Sequence, residues 1–371
     1  MATLAAERVT VKIDGVELAE LYGSMVLEVE LDDDLAAMCH LVLPVSQAAD
    51  GSWDLVDDDR LQVWKPIAIQ IGFGDAGDDV FTGYITQIRP RLAPDPTQCR
   101  IELWALDASV LLDREDKLKA WPDKTDSDIA TEIFESYGLT AQVDPTEISH
   151  DSEVSTIVQR ETDMQFLRRL ALRNGFECFV SGDTGYFQAP ALDGAPQPVL
   201  AAYGQDATNL VDIAFEVNAL APASVAMTQI DHGTKEILQA VVATTDRRAL
   251  GRLGSAALLA AGVPAAQVQI ARAVATGLPE MTALCQGLFQ RGDWFVTATG
   301  EIAANAYGHV LTPRATVTIK GVGETYSGIY YVTHVSHRLS AAGYTQQFKA
   351  VRNGLRPTGS EDFGGAAGGL L

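Results

Sequence analysis

The sequence is short of positive charge: 27 lysines and arginines stand against 49 aspartates and glutamates, a formal net charge of −22 over 371 residues. That deficit excludes a nucleic-acid groove, which needs a concentrated basic face, and it disfavours an anionic membrane surface. Cysteine is scarce as well. Cys39, Cys99, Cys178 and Cys285 lie far apart in apolar surroundings, with no Cys-x-x-Cys pair and no zinc spacing. Buried free thiols are the expectation. Long hydrophobic runs are missing: the most apolar stretch, residues 256–266, is too short to span a bilayer and contains Gly262 and Pro264. The opening Met-Ala-Thr-Leu-Ala-Ala-Glu-Arg lacks the charged-then-apolar pattern of a secretory signal, so general export is not expected.

Catalytic motifs are absent too. There is no Gly-x-Ser-x-Gly elbow and no His-Glu-x-x-His pair. Carboxylates abound, but nothing in the sequence selects one pair for acid–base work, so no catalytic residue is assigned. His334 and His337 are three apart; on a strand they point to opposite faces and make a poor metal pair. The runs Asp32-Asp-Asp34 and Asp57-Asp-Asp59 lack the spacing and glycine of a calcium loop and read as solvated loops, leaving no metal site. Gly72-Phe-Gly-Asp-Ala-Gly77 spells G-x-G-x-x-G, but Asp78-Asp79 and a strand follow where a phosphate-binding helix is required. It reads as a hairpin turn, and no cofactor is expected.

What is present is a globular composition, 47% hydrophobic and 20% charged, long enough for two or three domains. Residues 1–110 alternate as antiparallel β: Val9, Val11 and Ile13, a tight turn at Asp14-Gly15, then Leu27, Val29 and Leu31, and later Cys39, Leu41 and Leu43. Residues 111–205 read as an α+β domain. One helix starts at Thr125, with the acidic Asp128 at the third helical position, and stops at Gly138. A second starts at Thr162, with Gln165 as its capping-box partner, and stops at Gly175; Phe166, Leu167, Leu170 and Ala171 face the core and Arg168, Arg169 and Arg173 lie mostly on the wet side. Residues 206–355 return to β, with a partly helical insertion at about 235–290. In it, Pro279 opens a helix carrying Met281, Leu284 and Leu288 on one side. Residues 356–371 form a Gly-rich tail expected to be flexible.

One pattern occurs twice. Ile67-Ala-Ile-Gln-Ile-Gly-Phe-Gly74 with Phe81-Thr-Gly-Tyr-Ile-Thr-Gln-Ile88 matches Val317-Thr-Ile-Lys-Gly-Val-Gly323 with Tyr326-Ser-Gly-Ile-Tyr-Tyr-Val-Thr-His-Val335. On these residues alone, duplication and a coincidence of two glycine-turned hairpins stay equally open.

Three stretches together resemble the baseplate hub family of contractile injection systems, which includes phage late control D proteins and the hub portion of VgrG-type spike proteins. They are Ile101-Glu-Leu-Trp-Ala-Leu-Asp107 with Asp113-Arg114, Trp121 and the Asp128 helix; the run from Glu161 to Phe176 with Phe166, Leu167, Arg169 and Gly175; and Leu311-Thr-Pro313, Tyr326, Gly328, Tyr330, Val332, His337 and Gly343-Tyr344. The resemblance implies an α+β, mainly β fold: two similar antiparallel β-barrel, tube-type domains flanking an α+β domain. It also implies a homotrimeric, pseudo-six-fold ring joining an inner tube protein to a spike and other baseplate proteins. The particle would be a phage tail or tail-like device assembled in the bacterial cytoplasm, with no enzyme activity, nucleic-acid recognition or membrane insertion by this chain. VgrG-type proteins continue beyond the hub, whereas this sequence stops at Leu371, so a separate spike polypeptide is expected. Its structural repeat and motif residues would be Phe81, Gly83, Phe166, Leu167, Arg169, Gly175, Tyr326, Gly328, His337 and Tyr344. Two rival readings are a tail-associated cell-wall hydrolase and a monomeric carbohydrate-binding module.

Overall fold

The computed structural model describes residues 7–18, 25–73, 77–153, 156–203, 208–221, 223–231, 233–259 and 262–363. The first β region comprises β1 (Glu7–Ile13), β2 (Val16–Glu17), β3 (Val26–Asp32), β4 (Met38–Pro44), β5 (Pro66–Phe73), β6 (Asp78–Arg91) and β7 (Arg100–Leu106). The middle holds α1 (Ser109–Leu112), β8 (Lys119–Trp121), α2 (Asp126–Ser136), β9 (Thr140–Val143), β10 (Ile157–Gln159), α3 (Asp163–Asn174), β11 (Glu177–Ser181) and β12 (Thr184–Gln188). There follow β13 (Gln197–Ala201), β14 (Leu210–Val217), β15 (Ser224–Ile230), β16 (Ile237–Val242), β17 (Gln267–Ile270) and α4 (Leu278–Gly292). The chain closes with β18 (Val296–Ala303), α5 (Ala304–Tyr307), β19 (Thr316–Lys320), α6 (Gly323–Tyr326), β20 (Gly328–Ser340) and β21 (Gly343–Arg352).

The molecule is mainly β, built on one large curled sheet in the order β14-β18-β21-β20-β3-β4-β7-β6-β5-β1-β2, with β19 also on β20 and β13 on β19. Period-two alternation dictates which face is buried. Leu27, Val29 and Leu31 of β3 and Cys39, Leu41 and Leu43 of β4 turn inward, and the polar residues between them do not. Asp14 and Gly15 both take positive φ, 51° and 78°, as the tight turn from β1 to β2 demands. Separate apolar cores fill the first β region, the middle domain and the second β region. In the middle domain Thr125 and Asp128 form the reciprocal capping box of α2. Of the box expected at Thr162 and Gln165, the structure forms the cap half, Thr162 accepting from the Gln165 N–H at the start of α3, and Gly175 ends that helix at φ 67°.

Several expectations are corrected. The insertion begins earlier than residue 235: β15 pairs with β16 and β17, not with the large sheet, and these strands and α4 enclose a core of their own around Val225, Met227, Met281 and Cys285. The middle domain ends before residue 197, because β13 runs beside β19 in the large sheet. On α4 the buried positions are Met281, Cys285 and Phe289, while Leu288 is 38% exposed, so the apolar face is rotated from the expected one. Two glycines explain the rotation. A Cβ on Gly287 would sit 2.4 Å from the Arg173 carbonyl oxygen, so α4 lies backbone-close on the end of α3 at Gly175. Arg173 accordingly faces inward and pairs with the buried Glu280 instead of lying in water.

The expected hairpin tip at residues 74–76 and the tail from residue 364 lie outside the described residues. Residues 358–361 form a turn in which Glu361 accepts from the Thr358 and Gly359 N–H groups, both at 2.7 Å.

Candidate functional site

The two halves of the large sheet carry the same strand order. In the first it runs β3-β4-β7-β6-β5-β1; in the second, β14-β18-β21-β20-β19-β13. Local irregularities fall at matching places. β6 has a bulge between Ile85 and Gln87 against β7, and β20 has one between Val332 and His334 against β21. At the bulges Thr86 donates to the Trp104 carbonyl and Thr333 to the Lys349 carbonyl, each at 3.2 Å. Ahead of β5, Trp64 takes φ 68° and its N–H donates to Ile85 O at 2.6 Å. Ahead of β19, Arg314 takes φ 63° and its N–H donates to Val332 O at 2.8 Å. Non-glycine residues at positive φ are uncommon, so their recurrence at one topological point is specific. The outermost pair departs from the match: β1 runs antiparallel to β5, whereas β13 runs parallel to β19.

These landmarks correct the sequence alignment of the repeat. Tyr84-Ile-Thr-Gln-Ile88 does correspond to Tyr331-Val-Thr-His-Val335, and Ile67 to Val317. The glycines do not correspond: Gly83 pairs with Ile67, whereas Gly328 pairs with Ile319, two residues farther from the bulge. The turn in the second copy is shorter, and each glycine has its own cause. A Cβ on Gly83 would lie 2.1 Å from the Leu106 oxygen. Gly328, at φ 141°, passes against the Arg352 guanidinium, 2.6 Å from where its Cβ would be.

The halves meet edge to edge. The second part of β20 pairs antiparallel with β3, placing His334 opposite Asp32, Ser336 opposite Glu30 and Arg338 opposite Glu28. His334 bridges Glu30 at 2.9 Å and Asp32 at 3.3 Å, and Ser336 donates to Glu30 at 2.7 Å. The Asp32–Asp34 run is therefore not the plain solvated loop expected of it.

Beside this seam all the units converge on a charged junction. Tyr331 of β20 donates to both carboxylate oxygens of Glu177 on β11, at 2.8 Å each. Arg314 donates to the Asp32 carbonyl and stacks 3.7 Å above the Phe179 ring. Arg247, from the insertion, donates to Gln290 O at 2.9 Å and lies 5.0 Å over Trp294, which stacks on Tyr331. Burial, with the charges of Asp32 and Asp34, pushes the Asp33 carboxyl up to about 7. Burial also pushes Glu177 up to about 7.

A carboxyl with a raised folded-state pKa binds its proton more tightly when folded. Its penalty is full above about pH 7 and is relieved as pH falls toward the unfolded value. Glu177→Gln, which removes the charge and keeps the shape, is expected to stabilise the protein by about 1 kcal/mol or more at pH 8. That gain shrinks to a fraction by pH 5 and vanishes below the ordinary carboxyl value of 4.5. Denaturant melts at the two pH values check it, and an equal difference at both counts against the buried charge.

A cleft of about 990 Å³ separates the middle domain from the insertion, lined among others by Asp126, His150, Arg173 and Glu280. His150 Nε2 lies 2.7 Å from Asp126, Asn174 donates to the other Asp126 oxygen at 2.7 Å, and the Thr276 N–H donates to Glu280 at 2.7 Å. Burial works against ionised Asp126, but His150 and Arg173 bring its pKa below the usual value. Both carboxylates are thus held by internal donors, as in an interdomain latch.

The motif residues are spread through the molecule. Phe166 and Leu167 are in the middle core, and Arg169 ties the Glu161 carboxylate at 2.7 Å to the Val158 carbonyl at 2.9 Å. Tyr326 stacks on Phe215 of β14 with centroids 4.7 Å apart, and Phe81 lies in the first core. Buried His337 meets the Tyr344 hydroxyl at 2.7 Å, and burial pulls its pKa down to about 3, so it stays neutral. Sequence reasoning missed Asp33, Glu177, Arg314, Tyr331 and Arg352, whose partners lie far away along the chain.

A family model described as the Alg8 N-terminal domain matches residues 4–341. The chain belongs to this family. The family's description names a domain and no activity. None of the curated proteins matches. Among solved structures, the 43 kDa tail protein of prophage MuSo2 from Shewanella oneidensis matches with a TM-score of 0.67 at 15% identity, covering 94% of this chain and 99% of that one. A tail protein from Neisseria meningitidis gives 0.66 at 13% identity, covering 94% and 97%. An E. coli component of the type VI secretion system, described as structurally similar to the T4 tail proteins gp27 and gp5, gives 0.55 at 11% identity, covering 94% and 79%. At such identities the likeness is one of fold: this chain has the fold of phage tail and type VI secretion tail proteins.

Proposed function

We propose that this chain is a baseplate hub of a contractile tail or injection system. Three copies form a ring whose two tube-type β domains per chain present six similar units to an inner tube, while the three-fold underside seats a spike. The observation that carries this reading is the recurrence of one six-strand order, with the same bulge and the same left-handed residue, in both halves of the sheet. A trimer with one unit per chain offers a six-fold tube three contacts; two units per chain offer six. The shared fold with phage and type VI tail proteins supports the same reading. The role is mechanical: the middle domain and insertion, latched through Arg173–Glu280 and through the Glu177 junction, carry load between spike and ring. The strongly acidic surface keeps such a component soluble before assembly.

Electron microscopy of the full chain mixed with the inner-tube or spike protein of its particle tests this. The expected result is three-chain rings capping tubes or seated on spikes. Free monomers in every mixture would overturn it.

A further inference from the structure

The two halves also differ in what lies on their edges. In the first half the edge strand β3 is covered by β20, and its inward residues Leu27, Val29 and Leu31 are 1%, 0% and 7% exposed. The corresponding strand of the second half is β14. Matching the ladders pair by pair, Val29 corresponds to Phe215 and Glu30 to Glu216. Among the described residues β14 pairs only with β18. Its inward residues Ile213, Phe215 and Val217 are only half-buried, and Val211 beside them is 62% exposed.

The complementary edge is open as well. On β20 the residues after the bulge bind β3, and Val335 is 0% exposed. The corresponding residues of β6 are Gln87 to Arg91. They pair with β7 on one side and, among the described residues, with no strand on the other. Ile88, the counterpart of Val335, is half-buried, and Leu92 is 48% exposed. One chain therefore carries one filled seam and the two open halves of a second.

We propose that β14 of one copy pairs antiparallel with Gln87–Leu92 of the next copy, reproducing between chains the β3–β20 seam within a chain. The occupant of each open edge is a second copy of this chain. Transferring the internal register puts Ile88 opposite Val217, Arg89 opposite Glu216, Arg91 opposite Ala214 and Leu92 opposite Ile213. Charge agrees with it. Arg89 faces Glu216, and Arg91 falls diagonally between Glu216 and Asp212, all on one face, as Arg338 faces Glu28 internally. In a chain with a net charge of −22 that pairing offsets repulsion between copies. Pro90, at the His337 position, has no N–H to give, which protects the open edge from indiscriminate strand addition at the cost of a ladder bond. The contact is head-to-tail, so three copies joined by it close into a ring when each step is one-sixth of a turn and run on as an open helix otherwise.

This inference rests on the ring reading above and sharpens it, so the test separates the two. Arg89→Cys with Glu216→Cys places cysteines directly opposite across the seam, and Ser336→Cys with Glu30→Cys supplies the same geometry inside one chain. The native thiols are buried and do not interfere. On oxidation of concentrated full-length protein, the seam pair is expected to give covalent dimers and a closed trimer on non-reducing gels. The internal pair links within the monomer, and either seam cysteine alone gives no ring. Three-chain rings in the microscope without covalent linkage, while the internal control links, would overturn the seam and leave the ring. Linked open polymers with no closed trimer would uphold the pairing and overturn the ring of three. Monomers that neither assemble nor link would overturn both.

Discussion

Replacing Arg352 with methionine is expected to cost about 4 kcal/mol, lowering Tm by about 10 °C or abolishing soluble expression. Arg352 ends β21 and is completely buried, 0% exposed. Its Nε donates to Leu250 O at 2.9 Å, Nη1 to Ser327 O at 3.1 Å and Nη2 to Arg356 O at 2.8 Å, and the guanidinium lies 5.3 Å from the Tyr330 ring centroid. Burial pulls its pKa below the ordinary arginine value. The side chain therefore joins the insertion loop, the start of β20 and the segment after β21 by one charged group. Methionine fills much of the volume but leaves those carbonyls without donors, and an unpaired buried acceptor costs more than the bond it made. Calorimetry checks the prediction. A loss below about 1 kcal/mol would mean that water substitutes for the guanidinium.

Gly83→Ala is expected to cost about 3 kcal/mol or more. The new Cβ would stand 2.1 Å from Leu106 O and 2.7 Å from its carbonyl carbon, atoms fixed where the β6–β7 ladder begins at Tyr84 and Leu106. Backbone cannot rotate away as a side-chain tip can, so the strands must part. Gly77→Ala is the control: its Cβ would meet Gln70 Cβ at 3.9 Å, ordinary contact, and the change should stay within about 0.5 kcal/mol. Hydrogen exchange along β6 and β7 should accelerate in the first variant only. Equal protection in both would show that the ladder relaxes without loss.

The predicted elements were legible wherever one side chain's fate is decided by its neighbours in sequence. The alternation of Val9, Val11 and Ile13 with polar residues, the Asp14-Gly15 turn and the helix start at Thr125 are all formed as read. Helix α4 shows the limit. Met281, Leu284, Cys285, Leu288 and Phe289 permit more than one apolar face, and the close approach at Gly287 and Gly175 chose Met281, Cys285 and Phe289. The repeat shows it too. Its first strand aligned correctly from sequence, Ile67 with Val317, but anchoring the second on Gly83 and Gly328 left it two residues out of register, because those glycines answer to different neighbours, Leu106 and Arg352.

By itself, then, the sequence determined a mainly β chain with an α+β middle, buried free thiols, a strongly acidic balance and a hairpin that recurs near both ends. Those properties depend on composition and on contacts a few residues apart. Only the tertiary structure decided that the two β regions form one sheet through β3 and β20, residues some 300 apart, and that this joint leaves matching edges on β6 and β14. It alone gathered Asp33, Glu177, Arg247, Arg314 and Tyr331 at one junction. Edge pairing and buried charge are long-range matters. A strand's sequence says which face is apolar, but its neighbour is chosen by where the rest of the chain has already gone.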